Sequence, residues 1–365
     1  MTPPTVALDA MLWDEPTTGI GLYTRAVAGA LAERGVPVIR VGARASGEHP
    51  RRIRSRTLYA LAELPLKLAE LRPAVFHAVG NFDLPLRRIP GTAYVLTVHD
   101  LIPLQLPETV SSGFRWQFRL WLERSLRLAD HVVCDSHATR RALLQRFPRA
   151  DEARTTVIHL GVDHVQPPSL DATSKAYLQS LGLPAEFLLY VGALDARKNV
   201  GLVLEALERL RDWRRVPFVL VGQRWFGSGP VERRIRALRE QGHDIRTLGF
   251  QPEPLLHALM QRATLFVFPS RGEGFGLPPL EAMALGTPVV ASTAGALPEV
   301  CGEAAVLVPP DDAQGLAEVL RRLLTSPLER EALARAGAAR AKGFRWSTVA
   351  EQLEAIYRRV ARAPA

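Results

Sequence analysis

Residues 264–292 read TLFVFPSRGEGFGLPPLEAMALGTPVVAS, and their order decides the fold. The run Leu265–Phe268 has the length and apolar composition of a buried strand, and a glycine-interleaved loop follows it. Pro278 and Pro279 then open a helix, because proline is tolerated at the first helical positions. Strand, glycine loop and helix N-terminus in that order make an anion site: main-chain N–H groups there lack helical acceptors, and the helix dipole favours negative charge. Glu273 stands before the turn and Glu281 just inside the helix. Carboxylates on both sides of a phosphate-binding turn are placed to accept hydrogen bonds from hydroxyls at the two ends of a sugar nucleotide. Taken singly, each reads equally well as a loop acid or a first-turn acid beside the dipole.

The same βα rhythm extends outward in both directions. Strand candidates at Phe187–Val191, Phe218–Val221, Ile245–Leu248, Val289–Ala291 and Ala305–Val308 alternate with helical stretches at Val200–Arg211, Val231–Gln241, Pro254–Arg262, Leu280–Ala284 and Ala313–Leu324. In the first half, strands at Val6–Leu12, Val36–Val41, Ala74–Ala78, Tyr94–His99, His131–Asp135 and Thr156–Leu160 alternate with helices at Tyr23–Glu33, Thr57–Leu71, Phe114–Leu128 and Ala138–Phe147. Between the halves, Gln166–Thr173 reads QPPSLDAT and breaks the pattern as an interdomain connection would. The expected class is α/β, with two doubly wound Rossmann-like domains facing across a cleft and ligand at the carboxyl ends of their strands. The domains are placed at 1–168 and 169–345, with a final helix over 346–365 packing back on the first.

Composition narrows the function. With 365 residues, 47% of them hydrophobic and 23% charged, the chain carries material for two cores, and global disorder is excluded. Cys134 and Cys301 lie far apart and neither belongs to a CxxC pair, so neither a disulfide framework nor a cysteine zinc site is expected. The N-terminus lacks the pattern of a signal peptide and no long apolar run follows, which points to the cytoplasm. The net charge of +9 is spread evenly with no basic tail, and nucleic acid is not an expected partner. Two features leave room for peripheral contact with an anionic membrane on its inner face. They are the cluster Arg51, Arg52, Arg54 and Arg56, and the stretch 113–128, GFRWQFRLWLERSLRL, with Phe114, Trp116, Phe118 and Trp121 among arginines. The plainer reading of both is a solvated arginine face over core aromatics.

Three further segments carry candidate chemistry. In LLYVGALDARKNVGLVLEAL, Arg197 and Lys198 fall in the turn between a strand and a helix. Cations at a helix N-terminus are unfavourable without an anion, and two fixed cations there would neutralise a departing phosphate. In DEPTTGIGLYTRAVAGAL, Gly19 and Gly21 would let the backbone approach an anionic group. Thr24 replaces the third glycine of a dinucleotide fingerprint, and Arg40 replaces the ribose-binding acid, so nicotinamide chemistry loses support. In VLTVHDLIPLQLPE, His99 and Asp100 end a strand. No HxxxH or carboxylate cluster accompanies them, so no metal is expected, and a satisfied strand-end histidine is the plain alternative.

Together these segments resemble the retaining nucleotide-sugar glycosyltransferases of family 4, the glycosyl transferases group 1, over nearly the whole chain. The match rests on the Glu-x7-Glu pair Glu273 and Glu281 and on the flanking GFGLPPLEAMALGTPVV. The resemblance implies a GT-B fold and a metal-independent, retaining hexosyltransferase without a cofactor. It implies that Glu273 contacts the donor sugar near the reacting centre, that Glu281 holds the ribose, and that the amides of Phe275, Gly276 and Leu277 bind the diphosphate. Lys198 and Arg197 are then the phosphate cations, His99 a sugar contact with Asp100 beside it, and Gly19 and Gly21 a loop reaching donor phosphate and acceptor. The family often places its arginine directly after the glycine ending this strand, where Ala193 stands here. The pattern around TGIG, VHDLIPL, RKN and GALPEV looks most like bacterial mannosyltransferases that build surface polysaccharide or glycolipid. The expected donor is GDP-mannose, with UDP-glucose second, and the expected acceptor is a glycan or a lipid-linked one. A non-catalytic nucleotide-sugar binder and a GT-B epimerase are the readings from other classes.

Overall fold

Twelve short strands, the eight inner ones buried along nearly their whole length, form the two layers on which the described part of the molecule is built. The computed structural model describes residues 3–14, 18–42, 56–81, 83–210, 216–223 and 228–361. Arg51, Arg52 and Arg54 lie outside the described residues, as does the side chain of Arg56. The chain divides into two compact units, 1–161 with 345–365, and 162–344. The division falls ahead of the Gln166–Thr173 segment. Asp171 caps the next helix by accepting from the Ser174 N–H at 2.7 Å, so that segment ends in regular structure.

The first unit runs β1 (Val6–Asp9), α1 (Gly19–Glu33), β2 (Val38–Val41), α2 (Arg56–Leu71), β3 (Val75–Ala78), β4 (Ala93–Val98), α3 (Ile102–Gln105), α4 (Ser112–Leu128), β5 (His131–Cys134), α5 (His137–Arg146) and β6 (Thr155–Val157). The second runs α6 (Ala172–Ser180), β7 (Leu188–Val191), α7 (Val200–Arg209), β8 (Phe218–Val221), α8 (Gly229–Glu240), β9 (Ile245–Gly249), α9 (Glu253–Arg262), β10 (Leu265–Phe268), α10 (Leu277–Ala284), β11 (Val289–Ser292), α11 (Leu297–Cys301), β12 (Val306–Val308), α12 (Ala313–Thr325) and α13 (Pro327–Ala341). The chain then returns to the first unit as α14 (Trp346–Val360). The sequence reading omits α13, whose inner face is built from alanines and Gly337 rather than from a large apolar stripe. A Cβ on Gly337 would already come within 3.1 Å of the Met283 side chain.

Both sheets are wholly parallel, ordered β2-β1-β3-β4-β5-β6 and β12-β11-β10-β7-β8-β9. Register is set by pairs such as Val6 with Val38 and Val75 in the first, and Leu188 with Phe218 and Leu265 in the second. Strands covered by helices on both faces read as continuous apolar runs, which is why the sequence located them. In each sheet the winding direction reverses once, between β1 and β3 and between β7 and β10. Crevices at such reversals are where open α/β sheets bind ligands.

A buried polar chain ties α14 to the first sheet. Tyr357 Oη lies 2.7 Å from His77 Nδ1, His77 Nε2 lies 2.7 Å from Thr97 Oγ1, and Thr97 Oγ1 lies 3.2 Å from Tyr23 Oη. Burial disfavours the charged ring and pushes the His77 pKa down to about 3, so the imidazole is neutral and links a hydroxyl on each side. Arg34 of α1 adds an ion pair with Glu354 of α14 at 2.8 Å. Where the chain leaves and re-enters this unit, Gly161 packs directly on Trp346. A Cβ there would approach the Trp346 backbone nitrogen to 2.4 Å, so only glycine fits.

Candidate active site

In the second unit, the loops leaving β7 and β10 meet at the winding reversal. Gly222, at the end of β8, has φ of +146° and lies so close to Gly192 that a Cβ would sit 2.0 Å from its carbonyl oxygen. This approach turns the chain sharply out of β7. Asp195 Oδ1 accepts from the Lys198 N–H at 2.8 Å and closes the next turn. Asn199, left-handed at φ of +56°, donates from Nδ2 to the carbonyls of Pro269 (3.0 Å) and Pro310 (2.7 Å). The Arg271 N–H donates to the Arg197 carbonyl at 2.8 Å. The two loops are thus fixed to each other through the backbone before any charge is considered.

The charges then converge on one carboxylate. Glu273 Oε1 accepts from Lys198 Nζ at 2.8 Å and from Arg197 Nη1 at 2.9 Å. Arg197 Nη1 also donates to the Gly272 carbonyl at 3.2 Å, and Lys198 Nζ stands 4.6 Å from the centroid of the Phe268 ring. Burial alone would raise the Glu273 pKa, but Lys198 and Arg197 together outweigh it and hold the carboxyl below its ordinary range. Burial, with Arg197 adding to it, lowers the Lys198 pKa against the opposing pull of Glu273. Lys198 and Arg197 meet the Glu273 carboxylate directly, with the Asp195 carboxylate in the same turn.

The backbone of Glu273 is held as closely as its side chain. The Ala296 N–H donates to the Glu273 carbonyl at 3.0 Å, and Gly295, at φ of +61°, leaves no room for a Cβ, which would lie 2.4 Å from that oxygen. Three residues on, Gly276 caps α10 at φ of +107°. Phe275 is buried with its ring edge-on to Phe344 (centroids 5.9 Å apart), so it can offer a ligand only its main chain. Leu277 opens the helix with an N–H that has no helical acceptor, but Pro278 and Pro279 have none to give. Amide donors at this end of α10 are therefore confined to residues up to Leu277. Glu281 lies one turn in, 3.6 Å from His164 Nε2. Buried His257 of α9 stands near both, and burial lowers its pKa against the pull of Glu281. A cavity of about 560 Å³ opens at the carboxyl ends of β8 and β9, lined by Leu194, Gly222, Gln223, Arg236, Arg239 and Gly249. Leu194 joins it to the turn that carries Arg197 and Lys198.

The first unit places its candidates differently. Gly19 and Gly21 form the first turn of α1 rather than a free loop, and neither has a positive φ. Thr18 is the cap, its hydroxyl accepting from the Gly21 N–H at 3.1 Å. His99 follows β4 with both ring nitrogens facing acceptors: Nδ1 lies 2.6 Å from Asp135 Oδ2 and Nε2 lies 2.8 Å from the Val79 carbonyl. Only the doubly protonated ring can donate to both. Burial would lower its pKa, yet Asp135 and the carbonyl outweigh that and raise it. A nitrogen contact from His99 to a sugar therefore requires one of these bonds to open. Asp100 Oδ1 accepts from the Ile102 N–H at 3.0 Å and shapes the start of α3. Thr139 Oγ1 donates to the His99 carbonyl at 3.2 Å. Sequence reasoning passed over Asp135, Asn199, Gly295 and His164. Asn199, within RKN, and Gly295, within GALPEV, stand in quoted patterns; Asp135 and His164 carried no local signal.

Two doubly wound, wholly parallel sheets in one chain are the GT-B arrangement. The profile described as Glycosyl transferases group 1 matches residues 185–326, and that described as Glycosyltransferase Family 4 matches residues 17–166. The O-antigen chain mannosyltransferase B of Escherichia coli is 31% identical over 295 residues, covering 80% of this chain and 76% of that one. The MMP alpha-(1->4)-mannosyltransferase of Mycolicibacterium hassiacum is 35% identical over 281 residues, 73% of this chain and 65% of that one. Among solved structures, the sucrose-phosphate synthase of Thermosynechococcus elongatus superposes with a TM-score of 0.77 at 24% identity, covering 98% of each chain. The chain belongs to glycosyltransferase family 4.

Proposed function

We propose that the chain transfers mannose from GDP-mannose to a glycan or lipid-linked acceptor in the building of surface polysaccharide or glycolipid, with retention of anomeric configuration and without a metal ion. The observation that carries this reading is the meeting of Arg197, Lys198 and Glu273 at the winding reversal of the second sheet. A nucleoside diphosphate sugar brings anionic phosphates, and breaking the bond from its sugar carbon to phosphate oxygen places further charge on the leaving group. Lys198 and Arg197 meet that charge where it develops, the role otherwise given to a metal. The Phe275, Gly276 and Leu277 amides hold the diphosphate, Glu281 takes the ribose hydroxyls, and Glu273 faces the donor sugar. His99, Asp100, Gly19 and Gly21 are assigned to substrate contact on the first unit. The acceptor oxygen attacks the oxocarbenium-like carbon from the face the phosphate leaves, and the departing phosphate oxygen takes the acceptor's proton. The mannosyltransferase relatives favour mannose as the sugar.

The test is a thermal-shift panel of GDP, UDP, ADP and dTDP, since only a ligand of the folded state raises the midpoint. GDP is expected to raise it most. A rise with UDP alone would replace GDP-mannose by a UDP-sugar, and no rise with any of the four would remove the transferase reading. Incubation with GDP-mannose and acceptor in the presence of a chelator should then give the α-linked product. An epimerised sugar formed without acceptor would identify an epimerase instead.

A further inference from the structure

The outward face of α4 presents large apolar side chains that no packing explains. The helix buries one stripe, Phe118, Leu122 and Leu126, in the core of the first unit. Trp116 and Leu120, one turn apart, lie off that stripe and are 68% and 44% exposed, and Phe114 is 43% exposed with its ring 6.3 Å from that of Phe118. Scattered exposed apolar residues are ordinary, but a tryptophan and a leucine stacked at helical spacing are a surface that expects company. Arg115 and Arg119, also one turn apart and exposed, run beside them and form no ion pair among the described residues. From Ser111 to Leu122 no acid is present; the first, Glu123, is held by Arg127 at 2.9 Å.

We infer that this face of α4 docks on an anionic lipid bilayer, with Trp116 and Leu120 entering the headgroup boundary and Arg115 and Arg119 bound to lipid phosphates. Charge complementarity selects this occupant over a second copy of the chain, because like arginine stripes would repel across a two-fold contact. Tryptophan settles at the membrane interface, where its ring is buried and its N–H stays wet. Arginine reaches from an apolar face to the phosphates on its long stem. No helix among the described residues is long and apolar enough to cross a membrane, so attachment through this face is an arrangement in the interface plane. The inference does not depend on which nucleotide sugar the protein uses.

The experiment is co-sedimentation of the full chain with phosphatidylcholine vesicles, alone and mixed with phosphatidylglycerol. The protein is expected to pellet with the mixed vesicles and to be released by high salt. The double variant Trp116→Ser, Leu120→Ser should lower the partition coefficient at least tenfold, and Arg115→Gln, Arg119→Gln should do so only where phosphatidylglycerol is present. All four side chains are exposed, so both variants should keep the parent's thermal midpoint. Failure of the parent to bind the mixed vesicles would overturn the inference. So would binding that both variants retain, or a parent dimer in solution that the Trp116 variant reduces to a monomer.

Discussion

The two sheets share a topology but fix the residues at their carboxyl ends by opposite means. At the reversal in the second sheet, two cations share one carboxylate oxygen, and the surrounding loops are held by the Asn199 side chain and the Arg271 N–H, each donating to a backbone carbonyl. In β3 and after β4 the groups are histidines with opposite shifts, His77 neutral between two hydroxyls and His99 pushed toward its charged form between a carboxylate and a carbonyl. The second unit therefore holds charge that a ligand's phosphates can draw on. The first unit spends its buried polar groups on holding its own strands and α14 together. One fold can serve both ends because topology fixes only where the loops converge, while the residues in them fix what converges.

The sharpest way to break that contrast is to remove its central carboxylate. Glu273→Ala leaves Lys198 and Arg197 buried without a counter-charge and is expected to lower unfolding free energy by about 3–5 kcal/mol, read by urea denaturation. A loss under about 1 kcal/mol would mean that water, not Glu273, compensates the cations. Next in size is Lys198→Ala, which relieves one buried cation but deprives the leaving phosphate of a donor. Turnover should fall by roughly 10²–10³ while the fold survives. A loss below tenfold in an intact protein would take Lys198 out of the phosphate site.

These two residues also show how far the sequence could be read. The segment 264–292 gave away strand, loop and helix because each is written locally, in an apolar run, alternating glycines and a proline pair. That segment placed Glu273, and LLYVGALDARKN placed Lys198, each after a strand that the parallel-sheet rule brings to one edge. Neither could announce their ion pair, which joins positions 75 apart. The same holds for His99 and Asp135, 36 apart, whose bond a nitrogen contact from the ring to a sugar would have to share or open. Long-range partners depend on side-chain direction as well as strand order, and a strand pattern carries only the second.

On the other side of the comparison, His77 predicts a response to acid. Its folded pKa, about 3, lies below the unfolded value near 6.5. A histidine held neutral contributes stability that is fully present above about pH 6.5 and is lost as pH falls toward 3. Over that range the loss should be about 5 kcal/mol, with α14 coming away from the first sheet. Replacing the ring by His77→Gln should cost stability at neutral pH but flatten the acid slope, because no group remains to be charged. Guanidinium melts of both proteins from pH 7 to 4 would show this, and parallel slopes would return the acid sensitivity to carboxylates.

The smallest effect tests the glycines of α1, which the sequence offered as a phosphate-approaching loop and the structure folds into a capped first turn. Thr18→Ala removes the hydroxyl that accepts from the Gly21 N–H, and loss of such a cap costs about 1 kcal/mol. If that turn serves only to start the helix, thermal stability should drop by this amount and nucleotide affinity should stay within twofold. If the turn also meets an anion, the cap and the anion draw on the same N–H groups. Baring the Gly21 amide would then tighten nucleotide binding even as the free protein weakens, since a bound phosphate would take over the cap. Opposite signs in melting and in binding would show that Gly19 and Gly21 reach the ligand from inside a helix, without the free loop that a Gly-x-Gly pattern suggests.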